Sequence, residues 1–121
     1  MPTSEYRSTW ATYQAAWEEV SSAERQDLLS KSVTDDCVYS DPTGQATSRS
    51  ELVNFIEQFR RAMPGASFKN HTFLDHHAQS IATWSLYLPG SEIAGKSWAH
   101  FGEDGRITNV SGFFEVPEPA A

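Results

Sequence analysis

The sequence predicts an α+β domain: three helices, then a four-strand antiparallel meander that forms a curved sheet with the helices on one face. Three observations carry this. Apolar residues recur at spacings of three and four up to residue 59, and the pattern changes to alternation after residue 66. Turn-forming Pro-Gly and Asp-Gly pairs then punctuate the second half of the chain.

The elements follow in order. Tyr6, Trp10, Tyr13, Trp17 and Val20 lie on one face of a first amphipathic helix, with Arg7, Gln14 and Glu18 on the other. Ser21-Ser22-Ala23-Glu24 has capping-box spacing and opens a second helix carrying Leu28 and Leu29. A first strand occupies residues 37–41. Ser48-Arg49-Ser50-Glu51 repeats the capping box before Leu52, Val53, Phe55, Ile56 and Phe59, and Met63-Pro64-Gly65 ends that third helix. Strands are expected at 67–76 and 81–88. In the second of these Ala82, Trp84, Leu86 and Leu88 share a face. Pro89-Gly90-Ser91 turns into a strand at 93–101, and Asp104-Gly105 into a last strand at 107–116. The domain is expected to span 1–116, with 117–121 as a disordered tail.

A chain of 121 residues builds one core. Four Trp, seven Phe and four Tyr give it rings enough to line a cavity or cover an oligomer contact. The formal charge of −7 argues against nucleic acid and against an anionic membrane surface as partners. No stretch approaches the roughly 18 apolar residues of a membrane span. Met1-Pro2-Thr3-Ser4-Glu5 lacks a basic segment followed by an apolar run, so no secretory signal is expected and the default is a cytoplasmic protein. The lone Cys37 rules out an intramolecular disulfide and fits a reducing compartment.

Asp41 is the first candidate for chemistry. It shares a strand face with Cys37 and Tyr39, and Pro42 biases it towards an extended conformation while Gly44 lets the chain turn. A carboxylate among apolar neighbours can serve as a proton-transfer base; the alternative is an Asx-type turn residue exposed to water. His71, Asp75, His76 and His77 lack metal-ligand spacing, because adjacent strand residues point to opposite faces, so no metal is expected. Among them His77 is the candidate acid or base, the alternative being a histidine satisfied at a strand end or a dimer contact. Cys37 reads as a small buried hydrophobe.

The order of these elements resembles the nuclear transport factor two-like superfamily, which includes ketosteroid isomerases and SnoaL-like polyketide cyclases. The residues that carry the resemblance are the aromatic first helix, Leu28-Leu29, Thr34 to Pro42, Ser50 to Phe59, Pro64-Gly65, Asp75-His76-His77, Trp84, Gly95, Asp104-Gly105-Arg106-Ile107 and Gly112-Phe113-Phe114. The resemblance implies a cone-shaped fold around a pocket. It also implies that Asp41 matches the base of the ketosteroid isomerases and Tyr13 their oxyanion-binding tyrosine. The second, protonated aspartate of those enzymes is matched by Ser97, a weaker donor, which argues against steroid isomerase activity.

The pocket is expected to be lined by Trp10, Trp17, Tyr39, Phe55, Phe59, Trp84, Ser97, Ala99, Val110 and Phe114, with Ala99 and Gly112 leaving space between bulkier neighbours. Trp98 and His100 point the other way, to the sheet face where the resembling fold forms a homodimer. Two functions fit. One is a cofactor-independent isomerase, cyclase or dehydratase with Asp41 as base on a small apolar molecule. The other is a non-catalytic binding or dimerisation module.

Overall fold

The structure, a computed structural model, describes residues 4–116. The expected tail at 117–121 lies outside the described residues. In chain order the elements are α1 (Ser4–Ala15), α2 (Ser22–Ser32), β1 (Val33–Asp41), β2 (Gly44–Ala46), α3 (Arg49–Ala62), β3 (Ser67–His76), β4 (Gln79–Leu88), β5 (Ser91–Phe101) and β6 (Ile107–Phe114). The strands form one sheet of six in the order β2-β1-β6-β5-β4-β3. All neighbours are antiparallel except β1 and β6, which run parallel. The α+β class holds. The four-strand meander is joined by β1, which inserts beside β6, and by the short β2, which pairs back on β1 with Asp41 opposite Gly44.

Both serines cap their helices, while the Glu51 carboxylate accepts from the amide and hydroxyl of Thr47 rather than from the Ser48 amide. Ser21 Oγ accepts the Glu24 amide at 3.1 Å, and Ser48 Oγ accepts the Glu51 amide at 3.2 Å. The apolar stripe of α3 buries Leu52 and Ile56. These pack with Leu29, Val33, Phe101, Ile107 and Val110, all fully buried, between the helices and the concave face of the sheet. Among the described residues no helix is long and apolar enough to cross a membrane.

The first helix is shorter than its stripe suggests. It ends at Ala15, and the amides of Ala16, Trp17 and Glu18 then bond three residues back. The carbonyls this leaves open are taken by a buried arginine. Arg25, 4% exposed, donates from Nε to Ala16 O at 2.8 Å and from Nη2 to Glu18 O at 2.9 Å and Val20 O at 3.2 Å. Its Nη1 pairs with Glu57 at 3.2 Å. Trp17 therefore faces inwards from a turn held by α2, and Val20 leaves the stripe.

Candidate functional site

A cavity of about 360 Å³ lies between the helices and the concave sheet face. Trp10, Tyr13 and Gln14 reach it from α1 and Trp17 from the following turn; Phe55, Gln58, Phe59, Ala62 and Met63 reach it from α3 and its end. The sheet side supplies Tyr39, Asp41, Phe68, Trp84, Leu86, Ile93, Ser97 and Phe114, with Thr43 and Val116 at the edges. The walls are largely aromatic. Trp17 lies 5.5 Å from the Tyr39 ring and 5.5 Å from Phe59, and Trp84 lies 5.6 Å from Phe68 and 5.9 Å from Phe114.

Asp41 stands where β1 ends, and the hairpin to β2 fixes it. Thr43 donates its amide and its hydroxyl to Asp41 Oδ1, each at 2.7 Å, while the Tyr39 hydroxyl donates to Oδ2. The residue is thus an Asx-turn residue and a cavity residue together. The two sequence-based alternatives are not exclusive, because one oxygen serves the turn and the other lies on the Tyr39 side.

Two glycines shape this end of the cavity. A Cβ placed on Gly95 would lie 2.4 Å from the Trp84 indole, so the ring rests directly on the bare backbone of β5. A Cβ on Gly112 would instead meet Asp41 Cβ at 3.5 Å and the Ser97 Oγ and Tyr39 hydroxyl oxygens at 3.8 Å. Gly112 therefore leaves a slot about one methyl group wide between Asp41, Tyr39 and Ser97, three residues that line the cavity. The Ser97 hydroxyl accepts the Trp84 Nε1–H at 3.0 Å, which fixes the serine and leaves its own proton for the slot.

Burial pushes the Tyr39 phenol up, with the nearby Tyr13 and Asp41 adding to the shift. It likewise pushes the Tyr13 phenol far above its ordinary range, against a lowering contribution from the Trp17 indole. Both remain neutral donors at physiological pH. Burial also raises the Cys37 thiol to about 12, with Asp36 contributing, so no thiolate is available for nucleophilic chemistry.

The other expected site residues fall elsewhere. His77 is exposed in the β3–β4 turn, where it and Ala78 take φ of 48° and 60°. Two left-handed residues are what a two-residue hairpin turn of this twist needs, and they fix the imidazole at the far end of the hairpin. The strand from Phe68, at the cavity, to His76 spans about 26 Å at the usual rise per residue. Ala99 and Val110 do not reach the cavity. They face each other across β5 and β6, 0% and 1% exposed, inside the core. Among the described residues no group of three or more His, Cys, Asp or Glu is placed to hold a metal.

Three participants were passed over in the sequence. Gln14, expected on the polar face of the first helix, instead reaches the cavity at its edge, four residues after Trp10 and three before Trp17. Phe68 follows the alternation of β3. Thr43, two residues after Asp41, has the spacing of a hydroxyl that closes an Asx turn.

Residues 10–110 match the family model of the SnoaL-like domain. The chain belongs to the SnoaL-like family. Its structure is similar to that of a candidate isomerase of that family from Agrobacterium tumefaciens, with 27% identity, a TM-score of 0.86, and coverage of 94% of this chain and 100% of that one. It is also similar to a candidate ketosteroid isomerase from Kribbella flavida (17% identity, TM-score 0.75, 98% of this chain and 84% of that one). A cystatin-like-fold protein from Methylobium petroleophilum matches at 12% identity and a TM-score of 0.79, covering 98% of this chain and 81% of that one. The last two likenesses speak for the fold alone. No curated protein matches the sequence.

Proposed function

We propose that this SnoaL-like domain takes a small, largely apolar molecule into the cavity and moves a proton on it with Asp41 as base, in a cofactor-independent isomerisation, cyclisation or dehydration. The observation that supports this most is the Gly112 slot. It leaves room for a reacting atom beside a carboxylate whose other oxygen is immobilised by Thr43. A second reading, binding without turnover, draws on Tyr39 and Thr43 already donating three bonds to Asp41, because such a carboxylate can serve simply to orient a ligand.

The test is a panel of ketones, enones and polyketides offered to wild type and Asp41→Asn. Turnover by wild type that Asp41→Asn loses, with melting temperature retained, supports the base. Turnover that survives the substitution removes the assignment. Compounds that raise the melting temperature without conversion point to the binding reading.

We also assign a homodimer contact to the outer sheet face, where Leu74 is 72%, Phe113 60% and Ile81 41% exposed around the partly covered Trp98. Trp98→Glu is expected to give a monomer by light scattering; a surviving dimer would place the contact elsewhere. The buried thiol of Cys37 is consistent with a reducing, cytoplasmic setting for this protein.

A further inference from the structure

The charge distribution around the cavity is one-sided. Among the described residues that line it, Asp41 is the only charged side chain, and no Lys, Arg or His joins it. Four arginines are committed to carboxylates other than Asp41: Arg25 to Glu57, Arg60 to Glu19, Arg49 to Asp35 and Arg106 to Asp104. Asp41 receives three hydrogen bonds from neutral donors, which leaves one acceptor position on Oδ2 and no neutralising charge. The ring of Tyr39, which bonds Asp41, and those of Trp17 and Phe55, which pack on Tyr39, line the same cavity as Phe59, and their π-systems attract cations. A carboxylate without a counter-ion, set in an aromatic enclosure, is a site completed by a positive charge.

We propose that the ligand is an organic cation: a small, ring-bearing molecule with a positively charged nitrogen, of the iminium or alkylpyridinium type, for which Asp41 is both counter-ion and base. This rests on the reading of Asp41 as the cavity's base. The chemistry gives it a second support. Deprotonating a neutral ketone moves negative charge from a carboxylate that accepts three hydrogen bonds onto an oxygen faced only by neutral donors, Ser97 and the phenols. A cation carries its own electron sink. Asp41 Oδ2 takes a proton from the carbon next to the C=N bond, the C–H electron pair becomes the new C=C bond, and the C=N π pair moves onto nitrogen. One C–H bond breaks and one O–H bond forms. An ion pair becomes a neutral enamine beside a carboxylic acid, a change that a water-poor aromatic cavity favours. Where that carbon also bears a C=C bond, the product is a dienamine; return of the proton from Asp41 to its remote γ-carbon forms the new C–H bond, shifts the C=C bond into conjugation and restores the C=N+ bond, which completes an isomerisation without any further reactant.

The experiment compares two probes of one shape, N-benzylpyridinium and its uncharged counterpart diphenylmethane, by calorimetric titration of the whole chain. Physiological ionic strength, where the Debye length is about 8 Å, suppresses diffuse attraction to the protein's charge of −7. Wild type is expected to bind the cation about tenfold more tightly than diphenylmethane. That preference is expected to fall within about threefold in Asp41→Asn, whose amide can still accept from Thr43, and to persist in the exposed control Glu103→Gln. Equal or tighter binding of diphenylmethane by wild type overturns the inference, as does a preference that survives Asp41→Asn. The wild-type ratio decides even if the variant fails to fold. Diphenylmethane binding without cation preference sinks the cation and leaves the apolar cavity standing; failure of both probes to bind sinks both.

Discussion

The Gly112→Ala variant adds one methyl group at the point where Asp41, Tyr39 and Ser97 meet. The new Cβ would lie 3.5 Å from Asp41 Cβ and 3.8 Å from each of the two hydroxyl oxygens, which is ordinary van der Waals contact. Gly112 has no left-handed backbone, so alanine meets no conformational strain there. Fewer unfolded conformations then favour the folded state by about 0.4–1 kcal/mol. For a domain of this size that is a melting temperature unchanged or raised by up to about 4 °C. Occupancy of the slot changes in the opposite sense. A ligand group must yield to the methyl, and overpacking of about 1–3 kcal/mol corresponds to a loss of roughly 5- to 150-fold in affinity. Differential scanning fluorimetry and calorimetric titration with whichever probe wild type binds would measure both effects on one sample. Two results would refute the reasoning. A fall in melting temperature beyond about 5 °C would mean that the slot is packed core, and unchanged affinity would mean that ligands sit elsewhere.

Two further variants test what holds the site in place. Arg25→Met strands the Glu57 carboxylate and the carbonyls of Ala16, Glu18 and Val20, the turn that carries Trp17. Loss of a buried charge partner costs about 3–5 kcal/mol, so urea unfolding is expected to show that loss, against about 1 kcal/mol for Glu57→Gln. Equal losses from the two variants would deny Arg25 its hold on the turn. Stability should also fall at alkaline pH. The folded Cys37 thiol is raised to about 12 from an ordinary 9.0, so its contribution is fully present below pH 9 and disappears as pH rises towards 12, because the unfolded chain releases that proton first. The raised phenols of Tyr39 and Tyr13 act in the same direction above pH 10. Cys37→Ala is expected to flatten the melting profile between pH 9 and 11; an unchanged slope would assign the loss to other groups.

The parts of the fold readable in the sequence are those set by local chemistry. Serine caps with glutamate three residues later placed both helix starts, and Gly90 and Gly105 stand at positive φ in the turns their Pro-Gly and Asp-Gly pairs announce. What escaped was non-local. The parallel pairing of β1 with β6 leaves no periodic signature. The end of α1 is decided by Arg25, a residue of the next helix. His77 illustrates the same limit at the site: its chemistry suited an acid or base, but the hairpin turn, signalled by no Asn-Gly or Asp-Gly pair, carried it away from the cavity. Ala99 shares the inward face with Ser97, yet position along β5 decides between core and cavity, and alternation reports the face alone.

The cavity is itself costly to the fold. At about 24 cal/mol per Å³, an enclosed dry space of about 360 Å³ would forfeit on the order of 8 kcal/mol relative to a filled core, comparable to the whole stability of a small domain. Exposure at Met63 and Val116 lets solvent relieve part of that. A chain shaped by folding alone could fill the slot with a methyl group at Gly112, which the neighbouring distances allow, and has no need of a carboxylate without a counter-ion next to it. Space and negative charge coincide at one place, and the space is unfavourable to the empty protein. A ligand that supplies both volume and positive charge fills the one and pairs with the other. At a concentration a hundred times its Kd it would add about 2.7 kcal/mol, a rise in melting temperature near 10 °C. At that same concentration the ligand should stabilise Gly112→Ala by less, about 0.3–1.8 kcal/mol for the 150- to 5-fold loss of affinity expected when the methyl occupies the slot.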